Sequence, residues 1–134
     1  MITDQLIEKI IEMQNPTCVG LDTLFDYLPD EMKNGAITFN DAAERIFEFN
    51  KKLIDTVRDV VPSVKVQIAY YEMYGVAGMK AYEETLKYAA EKDLIVIADA
   101  KRNDIGSTTY NFKFVIKTQN IRNCNNINSF ICVK

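Results

Sequence analysis

With 134 residues, 48% of them hydrophobic and 26% charged, the chain has the length and apolar content of one folded domain. A net charge of −3 gives no electrostatic footprint for nucleic acid, and no apolar run reaches the roughly 18 residues a membrane-spanning helix needs. Histidine is absent, which excludes Ser-His-Asp and Cys-His catalysis and H-E-x-x-H metal sites, so any proton transfer falls to Lys, Asp, Glu, Tyr or Cys.

The N-terminal stretch is polar and periodic and lacks the basic start and apolar centre of a secretory signal, so the expected location is the cytoplasm. Residues 3–14 are predicted as a helix with Leu6, Ile7, Ile10, Ile11 and Met13 near one face and Thr3 or Asp4 as its cap. Asn15-Pro16 ends it. Thr17-Cys-Val-Gly-Leu-Asp22 reads as a short strand that finishes in a carboxylate, with Cys18 as a packed small side chain. Cys124 and Cys132 complete a set of three with no C-x-x-C spacing, so free thiols and no zinc site are expected. Residues 23–39 read as irregular, broken by Pro29 and Asn34-Gly35.

A second helix follows, capped by Asn40 or Asp41, with Ile46, Phe47, Phe49, Leu53, Ile54 and Val57 as its apolar stripe. Beyond Pro62, Val64-Lys-Val-Gln-Ile-Ala69 is the second strand, with Lys65 set unusually among β-branched residues. Tyr70, Tyr71 and Tyr74 read as packing aromatics. A third helix is expected over 77–92 with Met79, Tyr82, Leu86 and Ala89 or Ala90 inward.

Leu94-Ile-Val-Ile-Ala98 is the third strand, an apolar run that reads as buried on both faces. It switches at once to Asp99, Lys101 and Asp104. On an extended chain Asp99 and Lys101 point the same way, roughly 7 Å apart. An ammonium is thus bracketed in sequence by two carboxylates at the C-terminal mouth of a strand, where parallel α/β folds place their chemistry. Repeated β-α units with short links imply parallel strands, which deliver Asp22, Lys65, Asp99 and Lys101 to one end. A solvated loop with surface ion pairs is the competing reading of D-x-K-x-x-D by itself.

The run Asp99-Ala-Lys101-Arg-Asn-Asp104-Ile-Gly-Ser-Thr108-Thr resembles the signature of the orotidine 5′-phosphate decarboxylase family. Cys18-Val-Gly-Leu-Asp22 is similar to that family's first strand, and Val64-Lys65-Val-Gln67-Ile-Ala-Tyr-Tyr-Glu72 to the second strand of its long bacterial type. The resemblance covers roughly residues 5 to 110 and implies the first three units of a (β/α)₈ barrel that works as a homodimer. It implies that Lys101 protonates C6 of the pyrimidine as carbon dioxide leaves. Asp99 would oppose the substrate carboxylate, and Lys65 would hold that carboxylate and contact the ribose. Asp22 would bind a ribose hydroxyl. Asp104 and Thr108 would reach into the neighbouring subunit's site. The product is UMP, and neither a metal nor an organic cofactor is implied; nor is a nucleic-acid or membrane partner.

The chemistry agrees with those residue types. Loss of carbon dioxide from an sp² carbon leaves a localised carbanion, which a fixed positive charge and a proton at that carbon stabilise. Carboxylates beside a lysine favour its charged form. The alternatives are a sugar-phosphate decarboxylase of the same superfamily, which would use magnesium, and a non-catalytic fragment that binds a partner subunit.

Residues 111–134 differ in character. They hold six asparagines and no Gly, Ala, Pro, Asp or Glu, and they carry no match to the family's uracil-reading loop or phosphate-binding arginine. The expected organisation is therefore 1–110 as the N-terminal portion of a barrel and 111–134 as a divergent tail foreign to the fold. A closed barrel of this kind takes about 250 residues. The expectation is that the chain is truncated or frame-disrupted, and poorly folded and inactive alone.

Overall fold

The computed structural model describes residues 2–100. Its order is α1 (Ile2–Met13), β1 (Cys18–Gly20), a 3₁₀ turn (Phe25–Tyr27), α2 (Asp30–Lys33), α3 (Phe39–Val57), β2 (Ser63–Gln67), α4 (Ala69–Glu72), α5 (Gly75–Glu91) and β3 (Ile95–Asp99). The three strands form one parallel sheet in the order β1-β2-β3. Val19 pairs with Val64 and Val64 with Val96, so the strands start level. A (β/α) repeat with parallel neighbours is what the sequence pattern calls for.

Strand alternation decides which side chains meet the helices. Leu21, Val64, Val66, Ile68, Val96 and Ala100 point into a core with Ala43, Ile46 and Ile54 of α3 and Ala81, Leu86 and Ala89 of α5. The register puts Cys18, Gly20 and Asp22, then Lys65 and Gln67, then Ile97 and Asp99 on the opposite face. No helix among the described residues is long and apolar enough to cross a membrane.

Several expectations need correction. α1 begins at Ile2, so Thr3 and Asp4 lie inside it rather than capping it, and none of its residues is buried; Ile7 and Ile11 are exposed. α1 and the segment after it instead meet the starts of the strands: Asn15 Nδ2 donates to the Val60 carbonyl at 2.6 Å, and Lys9 Nζ reaches Asp93 Oδ2 at 2.6 Å. Cys18 is exposed, not packed: it opens β1, which lies at the edge of the described sheet, while its register partners Ser63 and Ile95 are buried. Residues 23–39 are not wholly irregular, since the 3₁₀ turn and α2 occupy part of them, and Gly35 takes φ 77° in the turn that follows.

The cap of α3 is Thr38, not Asn40 or Asp41. Thr38 Oγ1 accepts from the Asp41 backbone N–H at 3.1 Å, and the Asp41 carboxylate accepts from the Thr38 N–H at 2.8 Å, which makes a reciprocal capping box. β2 stops at Gln67 and the chain turns through α4 before α5 begins at Gly75 (φ 62°). Met79 is 37% exposed; Gly78, Ala81, Tyr82, Thr85, Leu86 and Ala89 form the inward face of α5 instead. Gly78 is there because a Cβ would lie 1.8 Å from the Tyr71 carbonyl oxygen. β3 is buried on both faces only at Ile95 and Val96; Ile97, Ala98 and Asp99 are half-buried toward its C-terminal end.

Candidate functional site

The backbone brings three predicted site residues together at the C-terminal ends of the strands. The Leu21 N–H donates to the Lys65 carbonyl at 2.8 Å, which holds the exit of β1 against β2. The Ile68 N–H donates to the Asp99 carbonyl at 3.1 Å, which ties the exit of β2 to β3. These two ladder bonds fix Asp22, Lys65 and Asp99 relative to one another.

Lys65 occupies the central strand, not an edge. Its ammonium donates to both Asp22 carboxylate oxygens, at 2.8 and 2.6 Å, and lies 3.9 Å from Asp99 Oδ2. The side chains of Lys65, Asp22 and Asp99 are 31%, 30% and 13% exposed, so the cluster opens to solvent on the face the helices leave uncovered. Gly20 stands below it: a Cβ there would sit 3.9 Å from the Lys65 Cε and the Asp22 carboxyl, at ordinary contact distance. Gln67 lies level with Asp99 on the same face.

The carboxylate oxygens around this cation keep lone pairs that can accept hydrogen bonds from hydroxyls of a small molecule placed over the mouth of the sheet. Lys101, Asp104 and Thr108 fall outside the described residues, as does the sequence that separates a decarboxylase loop from a solvated one.

Behind the cluster lies a polar network that the sequence reading missed. The Thr23 hydroxyl donates to Asn50 Oδ1 at 2.7 Å, Asn50 Nδ2 donates to the Tyr71 hydroxyl at 2.9 Å, and that hydroxyl donates to the Leu21 carbonyl at 3.1 Å. Asn50 and Tyr71 are fully buried. Burial pushes the Tyr71 phenol well above its ordinary pKa, so it stays a neutral donor. The signal available in the sequence was Asn50 itself, a polar residue one turn from both Ile46 and Ile54 in the apolar stripe of α3.

The family model described as orotidine 5′-phosphate decarboxylase / HUMPS matches residues 16–117. Over 108 residues the chain is 48% identical to the orotidine 5′-phosphate decarboxylase of Clostridium perfringens, which covers 81% of this chain and 36% of that protein. The enzyme of Clostridium acetobutylicum is 49% identical over 108 residues, with the same 81% and 36% covered. Among solved structures, the OMP decarboxylase of Leishmania donovani superimposes with a TM-score of 0.66 at 26% identity, covering 89% of this chain and 41% of that one. The chain thus spans about a third of the length of the curated relatives it matches.

Proposed function

The chain belongs to the orotidine 5′-phosphate decarboxylase / HUMPS family, and from that premise we propose that it carries the N-terminal share of a site that decarboxylates orotidine 5′-phosphate to UMP. The observation that supports this reading most is the Lys65 ammonium held 2.6 Å from Asp22 and 3.9 Å from Asp99 at the mouths of three parallel strands. Lys101 follows Asp99 by two residues in sequence and serves as the acid that protonates C6. Asp99 faces the substrate carboxylate, Lys65 holds it in place and contacts the ribose, and Asp22 accepts from a ribose hydroxyl. Asp104 and Thr108 serve the neighbouring site of a homodimer, and the protein works in the cytoplasm without a cofactor.

In chemical terms, the C6–carboxylate bond breaks, its electron pair stays on C6, and the lysine proton completes the new C–H bond. The electron pair on C6 is stabilised by cations already in place, so no solvent needs to reorganise as charge develops. Residues 1–110 are the barrel portion and 111–134 a divergent tail, and the 134-residue chain alone is inactive.

A chimera tests the reading. Residues 2–110 replace the matching part of the Clostridium perfringens relative, and the product is asked to support growth of a host lacking the decarboxylase without uracil. Growth that is lost with Lys101→Ala is the expected result. Growth that survives Lys101→Ala, or turnover that requires magnesium, would overturn the assignment, the latter in favour of a sugar-phosphate substrate.

A further inference from the structure

We propose that Asn50 and Tyr71 are positioning residues for Asp22, forming a buried clasp that closes on the residues to either side of that carboxylate. The inference rests on the reading of Asp22 as an acceptor of a substrate hydroxyl, and adds how the acceptor is aimed.

β1 ends at Gly20, and the last ladder bond of the strand is the one from the Leu21 N–H. Asp22 therefore sits on chain that the sheet no longer holds. The residue before it is caught through its carbonyl by the Tyr71 hydroxyl at 3.1 Å. The residue after it is caught through its hydroxyl by Asn50 Oδ1 at 2.7 Å. Asn50 Nδ2 joins the two anchors by donating to the Tyr71 oxygen at 2.9 Å. The result is a closed circuit, Leu21–Asp22–Thr23–Asn50–Tyr71, in which only Asp22 points out of the core.

A buried amide and a buried phenol are costly unless satisfied, and an aliphatic side chain would fill the middle of the α3 stripe at lower risk. The two polar groups reach the residues on either side of Asp22, Tyr71 at the Leu21 carbonyl and Asn50 at the Thr23 hydroxyl, and α3 and α4 supply one each. The Lys65 ammonium is aimed in turn by Asp22, which it meets with two hydrogen bonds. The clasp thus acts on the cation through the carboxylate.

The test follows the Lys65 ammonium in the whole 134-residue chain by nitrogen-detected NMR. Its protons give a slowly exchanging signal when held by Asp22, and Lys65→Met assigns it. Amide exchange along β2 and β3 reports folding in the same samples. Asn50→Leu, Tyr71→Phe and Thr23→Val should each weaken the Lys65–Asp22 coupling about fivefold, the effect of one lost hydrogen bond, with β2–β3 amides still protected. Thr23→Ser, which keeps the hydroxyl, should behave as wild type. The proposal is overturned if the coupling persists in folded variants, if every variant loses amide protection together with the signal, or if the unaltered chain shows no held ammonium. An inactive chimera alongside the expected couplings would instead remove the substrate reading and leave the clasp in place.

Discussion

On the face that α3 and α5 cover, the strands bury Leu21, Val64, Val66 and Ile68; on the other face the same strands carry Asp22, Lys65, Gln67 and Asp99. The two sets are interleaved one residue apart along a single backbone. Neighbouring positions therefore face opposite demands: 66 is constrained by core volume and 67 by the open face. A one-residue slip of β2 would exchange them, burying Lys65 and exposing Val66. The ladder bonds at the exits of β1 and β2 guard against that slip at the level of Asp22, Lys65 and Asp99.

The largest effect should come from putting the wrong character on the covered face. Val66→Lys buries a cation in the helix-facing core and should cost about 4 kcal/mol or more, whereas Gln67→Lys, one residue on, should stay within about 0.5 kcal/mol. Urea midpoints of the two variants would break the comparison if they fell together. Next is Gly78→Ala: the added Cβ meets the Tyr71 carbonyl at 1.8 Å and cannot be relieved by a flexible side chain. About 3 kcal/mol is expected from the forced separation of α4 and α5, with thermal unfolding as the measure.

On the open face the consequence should be chemical instead. Lys65→Met in the chimera should lower kcat/KM at least about 100-fold, while stability moves by less than about 1 kcal/mol, because the ion pair it removes is about a third exposed. A variant with near-normal turnover would detach that face from catalysis. The smallest effects lie at the α3 cap, remote from both faces. Thr38→Ala should cost about 1 kcal/mol. Hydrogen bonds from the Ile37 and Thr38 backbone N–H groups, then the Thr38 hydroxyl, hold the Asp41 carboxyl below its ordinary range. A depressed folded pKa gives stability that is present above the unfolded carboxylate value and fades as pH falls through the folded one. Asp41→Asn should therefore flatten the acid limb of a stability profile slightly, and an unchanged limb would discount the cap.

The number, order and parallel sense of the strands were legible because apolar runs ended in charge at 22 and 99 and turned at 69. Lys65 stood out as a cation among β-branched neighbours, and its place on the central strand followed from topology. What the sequence hid were choices among near-equals. Thr38, Asn40 and Asp41 can all cap a helix, and only the reciprocal pair of hydrogen bonds selects Thr38. Cys18 looked packed because Val19 and Leu21 are apolar, but it opens β1 at the edge of the described sheet and is exposed. Asn50 was passed over inside an apolar stripe, where its partners Thr23 and Tyr71 are distant in sequence and invisible to periodicity. Residues 101–110, which carry Lys101, Asp104 and Thr108, fall outside the described structure, so their part of the signature stands on sequence and family alone.

The helix α1 and the segment after it touch the molecule through Lys9 at Asp93 and Asn15 at Val60, both just ahead of the strands whose far ends hold the lysine and its carboxylates. Five residues of β2 separate those ends, and at about 3.3 Å per residue that is roughly 16 Å of stiff sheet. Glu8 and Glu12 lie on the solvent side of α1. A cysteine-linked dye or a surface tether placed at either position would hang from the base of the sheet, leaving the mouth unobstructed in single-molecule or surface-immobilised measurements.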